Sequence, residues 1–232
     1  VDCVSPENIG RAKRIDDGRY RYIERVKSSF PNQMRLDGLK VVIDCANGAG
    51  YRAAPEVLWE LGAEVVPVGV SPDGRNINLE CGSTSPRIAA ETVVAHGADV
   101  AICLDGDADR VLVIDEQGCP IDGDHFLGMI GSRWQKDDIL VEKTLVATVM
   151  SNMHLETFLN REGRKLVRTA VGDRYVVEQM RLNGFNLGGE KSGHVVMTDY
   201  STTGDGLMAG LQFLAEMVRR GEPASAVGRP FD

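Results

Sequence analysis

Asp105, Asp107 and Asp109 alternate along the run Asp105-Gly106-Asp107-Ala108-Asp109-Arg110. Alternate side chains of an extended segment share one face, so the spacing predicts three carboxylates on one side of a short loop. Brought to about 5 Å apart, each pair repels by roughly 3 kcal/mol at an effective dielectric near 20. Water relieves part of that repulsion, and a cation removes it. Oxygen ligands on a short rigid loop suit a hard divalent ion, and Mg²⁺ commonly keeps positions open for phosphate. Arg110 next door can hold a phosphate oxygen or steady the carboxylates. A solvated acidic turn is the plain alternative. An EF-hand loop fits worse, because Arg110 stands where its sixth-position glycine belongs. A haloacid-dehalogenase-type phosphatase, which also puts Asp-x-Asp after a strand, stays open as a rival, although it wants Thr or Val at the position of Asp109.

A second segment, Glu190-Lys191-Ser192-Gly193-His194, gathers groups that can hydrogen-bond hydroxyls or move protons. Each has an ordinary role too. Glu190 can cap a helix or pair with an arginine, His194 can be a hydrogen-bonded structural histidine, Asp173 can cap its helix and Arg174 can be a solvated helix residue. A third segment, Gly48-Ala49-Gly50-Tyr51-Arg52-Ala53, fits the G-x-G-x-x-A dinucleotide fingerprint, with Asp73 as a loose acidic partner. A tight strand-to-helix turn demands the same small residues, and a helix N-terminus there can help bind an anion.

These segments need elements to place them. Leu39 to Asp44 is a β-branched run that predicts a buried strand, followed by a helix from Tyr51 to Leu61 stopped by Gly62. Glu64 to Val68 reads as a strand. Ser85-Pro86 has the N-cap and first-turn pattern of a helix ending near Gly97, and Val100 to Leu104 is a third strand. The order then repeats: strand Ile139 to Val146, a helix capped by Ser151 and running through Leu159, strand Lys165 to Thr169, helix Asp173 to Leu182, strand Phe185 to Leu187. Gly62 matches Gly163, Gly97 matches Gly184, and Asp122-Gly123-Asp124 resembles Thr203-Gly204-Asp205. Asp205 reads as the cap of the last helix and is given no chemistry.

The expected fold is therefore α/β: two similar three-layer α/β/α domains, residues 1–118 and 119–232, with mixed, mostly parallel sheets and right-handed crossovers. The boundary falls at the turn Glu116-Gln117-Gly118. Ligands sit outside the carboxyl ends of strands in open parallel sheets, and the acidic run and the Glu190 run follow the third strands of the two copies.

Composition narrows the partners. The chain has 232 residues, is 43% hydrophobic and 26% charged, and carries a net charge of −8. Nucleic acids and anionic membranes require basic patches, so neither is expected as a partner. No apolar stretch is long enough to span a bilayer. Cys3, Cys45, Cys81, Cys103 and Cys119 show neither CxxC pairing nor zinc spacing, and Cys45 and Cys103 lie in apolar runs. A reducing cytoplasm is the expected location. Val1 is not an initiator methionine and polar residues follow it, so the chain is expected to be a trimmed piece of something longer.

The acidic run resembles the metal loop of the α-D-phosphohexomutases, which usually has Gly where Ala108 stands, and Gly189-Glu190-Lys191-Ser192-Gly193-His194 is similar to their sugar-binding loop. Val171-Gly172-Asp173-Arg174-Tyr175-Val176, Met150-Ser151-Asn152-Met153 and Thr202-Thr203-Gly204-Asp205-Gly206 resemble the glucosamine branch of that family. The likeness runs from about Gly10 to the end. It implies a four-domain enzyme of which this chain supplies the second and third. It also implies that Asp105, Asp107 and Asp109 hold Mg²⁺, and that Glu190, Lys191, Ser192, Asp173 and Arg174 contact a small phosphosugar. His194 and Arg110 become the catalytic candidates, with Lys191 a further acid/base or phosphate candidate.

The implied reaction interconverts glucosamine 6-phosphate and glucosamine 1-phosphate, toward UDP-N-acetylglucosamine, through a phosphoserine in a Ser-His-Asn-Pro type loop of the first domain. A phosphate clamp in the last domain completes the site. No Ser-His-Asn-Pro run occurs here, so the chain alone is expected to be inactive. Phosphomannomutase or phosphoglucomutase specificity, a nucleotide-binding oxidoreductase built on the Gly48 turn, and a non-catalytic binding module are the alternatives.

Overall fold

The computed structural model describes residues 4–231; Val1 and Cys3, which entered the sequence reading, lie outside them. The elements run α1 (Gly18–Lys27), β1 (Lys40–Asp44), α2 (Ala53–Glu60), β2 (Glu64–Val68), α3 (Arg87–His96), β3 (Val100–Leu104), β4 (Val111–Asp115) and β5 (Pro120–Ile121). They continue with α4 (Gly123–Lys136), β6 (Thr144–Thr148), α5 (Met153–Arg161), β7 (Lys165–Thr169), α6 (Asp173–Asn183), β8 (Leu187–Gly189), β9 (Val195–Met197), α7 (Gly206–Arg220) and α8 (Ala224–Val227).

There are two mixed sheets, of order β2-β1-β3-β4-β5 and β7-β6-β8-β9; the four strands of the second repeat the arrangement of the first four of the other. In the first, β1 runs parallel to β2 and β3, while β4 and β5 turn back antiparallel. In the second, β6 is parallel to β7 and β8, and β9 is antiparallel. The central strands β1, β3 and β6 are buried on both faces, which calls for continuous apolar runs rather than alternation, whereas the edge strands β2 and β7 stay part-exposed. Val42, Ala101, Cys103 and Ile114 pack on Ala89 and Val93 of α3. Val146 and Val196 pack on Val176 and Met180 of α6.

The opposite faces of both sheets belong to one continuous core. Helix α7 is responsible. It follows the second sheet in the chain yet packs on β3 and β4 of the first, and it touches α4. Gly210 lets it approach closely, since a Cβ there would lie 2.8 Å from Ile102. The turn Glu116-Gln117-Gly118 joins β4 to β5, so the first sheet still gains a strand beyond residue 118.

Several predicted boundaries shift. Helix α2 is preceded by a 3-10 turn, Ala49–Tyr51. Pro86 itself occupies the cap of α3, and Ser85 donates its N–H to Gly82 instead. The strand predicted from Ile139 starts only at Thr144, because Glu142 and Lys143 take positive φ of 52° in a 3-10 turn. Asn152, not Ser151, caps α5 by accepting from His154 N–H at 3.0 Å. Gly172 precedes α6, and Asp173 is its first residue. The strand predicted at Phe185 begins at Leu187: Phe185 N–H closes the helix end on Met180 O, and the Asn186 side chain is tied to Ile139, Val141 and Asp199. Cys45 and Cys103 are free and buried, as apolar runs predict, and burial pushes the Cys45 thiol up to about 12.

Candidate functional site

β3 ends at Leu104 and β4 starts at Val111, so Asp105 to Arg110 is the tight connection of an antiparallel pair at a carboxyl edge. Ala108 donates its N–H to Asp105 O at 3.1 Å and takes the left-handed φ of 63°, the conformation that a glycine adopts without strain. The turn brings one carboxylate oxygen each of Asp105, Asp107 and Asp109 within 4.8 Å of one another. Asp105 also accepts from Arg110 N–H at 3.1 Å. Burial raises the Asp105 carboxyl above its ordinary 3.8; the Arg110 N–H opposes this, and the neighbouring Asp109 and Asp107 add to the rise. The Arg110 guanidinium lies 3.9 Å from Asp105 and 3.8 Å from Asp109, in ion-pair range but beyond a hydrogen bond, so one arginine faces three carboxylates. Crowded oxygen donors short of positive charge fit a hard divalent cation.

Three backbone struts hold this loop. Ala49 N–H donates to Gly106 O at 2.8 Å, Gly206 N–H to Ala108 O at 2.9 Å, and Val111 N–H to Gly193 O at 3.0 Å. The first strut consumes the Gly48 turn: a Cβ at Gly48 would lie 2.1 Å from Gly106 O. The glycines therefore serve close backbone approach to the acidic loop, and the Ala49 N–H is not available to a pyrophosphate.

The second loop follows β8. Glu190 N–H donates to His194 O at 2.9 Å and Gly193 N–H to Glu190 O at 3.0 Å, which rolls Glu190 to His194 into a turn closed by Gly193 at φ 89°. Glu190 is half-buried and its carboxylate accepts from Gly172 N–H at 3.2 Å, which sets the start of α6 beside the loop. Asp173 and Arg174 are exposed there, with Arg174 stacked over the Tyr175 ring at 4.5 Å. Lys191 accepts from Gly123 N–H at 3.3 Å, and its ammonium is 3.9 Å from Asp122, the cap of α4. Ser192 is exposed.

The two loops meet. Arg110 and His194 form an antiparallel bridge, and the His194 Nδ1 is 3.3 Å from Asp109 Oδ2. The imidazole is only 2% exposed. The three aspartates, Arg110 and His194 are thus one cluster, with Glu190, Lys191 and Ser192 along its rim. Sequence reasoning missed Asp122, Gly204 and Gly206. Their signal was the repeated Asp-Gly helix start, which pairs Asp122-Gly123 with Asp205-Gly206 rather than with Thr203-Gly204. Asp205 does cap α7, accepting from Met208 N–H at 2.9 Å.

Paired α/β units of one topology, with an acidic loop and a polar loop meeting at their carboxyl edges, define the class. The profile of the phosphoglucomutase/phosphomannomutase alpha/beta/alpha domain II matches residues 20–118, and that of domain III matches residues 122–229. The chain belongs to this phosphohexomutase family. It is 70% identical over 232 residues to the phosphoglucosamine mutase of Ruegeria sp. (strain TM1040), and 68% identical to that of Roseobacter denitrificans. In both cases the match covers 100% of this chain and 52% of the relative, so the chain spans about half the length of the curated relatives it matches. Among solved structures, a phosphoglucomutase/phosphomannomutase family protein of Burkholderia thailandensis superposes with a TM-score of 0.81 at 24% identity, covering 92% of this chain and 46% of its own. The N-acetylphosphoglucosamine mutase of Aspergillus fumigatus, solved in complex with GlcNAc-6P and magnesium, gives 0.71 at 20% identity, covering 94% and 50%. At such identities the structures attest the fold. No helix among the described residues is long and apolar enough to cross a membrane.

Proposed function

We propose that this chain forms the second and third domains of a cytoplasmic phosphoglucosamine mutase, which interconverts glucosamine 6-phosphate and glucosamine 1-phosphate. The observation that carries the reading is the meeting of the acidic loop with the Glu190 loop at one edge. The 66–70% identity to phosphoglucosamine mutases supports the amino-sugar substrate over mannose or glucose phosphates.

Asp105, Asp107 and Asp109 would hold Mg²⁺, which supplies neutralisation of phosphoryl charge. Arg110, whose side chain is partly exposed, would take a phosphate oxygen. Glu190 and Ser192 hydrogen-bond sugar hydroxyls, and a hydroxyl-reading site rejects analogues lacking one because a buried polar group is then left unpaired. Lys191 adds a cation at the rim, and Asp173 and Arg174 line the approach. The phosphoryl group passes from a phosphoserine elsewhere in the longer polypeptide to the free sugar hydroxyl. The bisphosphate turns over, and its other phosphoryl group returns to the serine oxygen. Loss of a nucleophile costs on the order of 10⁶ in rate, so the chain alone shows no turnover.

Calorimetric titration with Mg²⁺ tests the reading. The wild-type chain binds, and Asp107→Asn, at the exposed ligand position, weakens binding by at least about tenfold. Equal heats from the two proteins would count decisively against a metal loop.

A further inference from the structure

The first turn of α4 lies directly against the Glu190 loop. Asp122 caps that turn: its Oδ1 accepts from His125 N–H at 3.0 Å and lies 2.8 Å from His125 Nδ1, while its Oδ2 is 3.9 Å from the Lys191 ammonium. Gly123 carries one of the first N–H groups of the helix, which have no partner within it, and gives it to Lys191 O at 3.3 Å. The approach is close. A Cβ on Gly123 would stand 2.6 Å from both Glu190 O and Lys191 O. Gly123 is not among the glycines with a left-handed φ, so the space taken up by those two carbonyls explains its missing side chain.

The same turn is held from a second direction by a residue far along the chain. Phe231 stacks on the His125 ring with centroids 4.5 Å apart and planes 10° from parallel, and it meets Phe158 of α5 at 5.1 Å. Gly128, three residues after His125, makes room for it, since a Cβ there would lie 2.8 Å from Phe231 Cε1. The segment that brings Phe231 is itself fastened to the turn between the two units: Ser225 N–H donates to Glu116 Oε2 at 3.0 Å, and Arg229 lies 3.5 Å from Asp115. One imidazole joins the two sets of contacts, with its face on Phe231 and its Nδ1 on the cap.

We propose that His125 and Phe231 are positioning residues for the Glu190 loop. Together they fix the first turn of α4, and that turn seats the backbone of Glu190 and Lys191 and faces the Lys191 ammonium. A site that reads hydroxyls needs its contacting groups locked by packing behind them, and this stack supplies such a lock. The proposal rests on the reading of the Glu190 loop as the one that binds the phosphosugar, and names what holds it in shape.

Hydrogen exchange at the Gly123 and Gly193 amides reads the seat with no ligand present. Phe231→Ala deletes the stack and leaves every polar group of the turn in place. Aromatic pairing of this kind is worth about two- to tenfold in an equilibrium constant. Exchange at both amides should therefore quicken by about that factor, beyond any change at Ile102, whose amide in a central strand reports opening of the whole fold. His125→Phe keeps a ring against Phe231 but loses the nitrogen facing Asp122, and should quicken the same amides. Phe231→Tyr preserves the stack and should stay within about twofold of wild type.

Titration with glucosamine 6-phosphate, followed by nuclear magnetic resonance, supplies the functional readout. Phe231→Ala and His125→Phe should each bind about two- to tenfold more weakly, and Phe231→Tyr as wild type does. Wild-type exchange at Gly123 and Gly193 in both weakened variants would overturn the proposal, and so would faster exchange with unchanged sugar affinity. If the wild-type chain leaves the sugar phosphate unbound, the sugar reading of the loop falls, and the exchange rates alone uphold or overturn the part played by His125 and Phe231.

Discussion

Asp44 shows how a single charged residue is spent on holding loops rather than on chemistry. It ends β1, is fully buried, and accepts from Ala46 N–H at 2.9 Å and from Gly82 N–H at 2.7 Å. It thereby ties the Gly48 turn to the loop before α3. Burial pushes its carboxyl above the ordinary 3.8, while those two N–H groups hold the rise in check. A folded pKa above the unfolded one means that the fold binds the proton more tightly, so this contribution is largest at low pH and is lost as pH rises through the folded value. Asp44→Asn does not titrate, and its amide cannot accept from both N–H groups as a carboxylate does; it should cost about 1–3 kcal/mol. Urea melts of both proteins from about pH 4 to about pH 7 check the sign: the deficit of the variant should narrow as pH rises. A widening deficit would reverse the assigned direction. Asp44 drew no attention in the sequence, because a carboxylate at the end of an apolar run carries no mark of its partners. The acidic run was legible because three alternating aspartates interact locally. The contact of His194 with Asp109, and of Lys191 with Asp122, joins residues far apart in the chain, and no spacing rule reports it.

Among elements, glycine stops and most strands of the first unit were legible. Helix starts were read at α6, which begins at Asp173, and at α7, which Asp205 caps, and were displaced elsewhere. β2, β3 and β7 were read to the residue, since each is a short apolar or β-branched run with clear ends, although only β3 is buried throughout. Gly97 and Gly184 take the left-handed conformation where the pattern placed helix ends. Ser151 gives way to Asn152, which accepts from His154 N–H, whereas Ser85 and Asp173 give way to Pro86 and Gly172, which offer no side-chain cap at all. The start of β6 was hidden by left-handed Glu142 and Lys143, whose residue types give no warning. The Gly48 turn was seen and its purpose was not: its fingerprint describes a close backbone approach, which here is made to Gly106 rather than to a cofactor. Gly48→Ala puts a methyl group where the Gly106 carbonyl stands, so the acidic loop must move. Such overpacking should destabilise the fold by about 1–3 kcal/mol and weaken Mg²⁺ binding although no carboxylate is changed. Gly10→Ala, with nothing within 4 Å of the added carbon, serves as the control. Calorimetry on the two variants decides, and unaltered binding in Gly48→Ala would deny the strut its role.

At the scale of the whole molecule, two units of one topology do not amount to two independent cores. Helix α7 leaves the second sheet to cover the first, and twelve consecutive residues from Gly206 to Met217 are buried in doing so. A polar chain threads the same junction. Arg133 of α4, itself buried, donates to Gln212 Oε1 of α7 at 2.9 Å, and Gln212 Nε2 donates to Ser29 O, just past α1, at 2.8 Å. Elements that pack on either sheet are thus joined through one amide side chain. Units that share a core and a buried network should open together, so denaturant unfolding should be a single transition. Far-UV circular dichroism reports all helices, whereas tryptophan fluorescence reports chiefly Trp134 of α4, since Trp59 is 71% exposed and changes little on unfolding. The two midpoints should coincide. Gln212→Ala removes the shortest hydrogen bond of the Arg133 guanidinium and the amide donor to the Ser29 carbonyl, leaving Arg133 with Asp137 at 3.5 Å and the backbone carbonyl of residue 212 at 3.4 Å, at a cost of about 1–3 kcal/mol. It should lower both midpoints by the same amount, because neither unit is stable without the junction. Separation of the two curves, or a shift seen by fluorescence alone, would mean that the sheets unfold separately and that α7 only decorates the first.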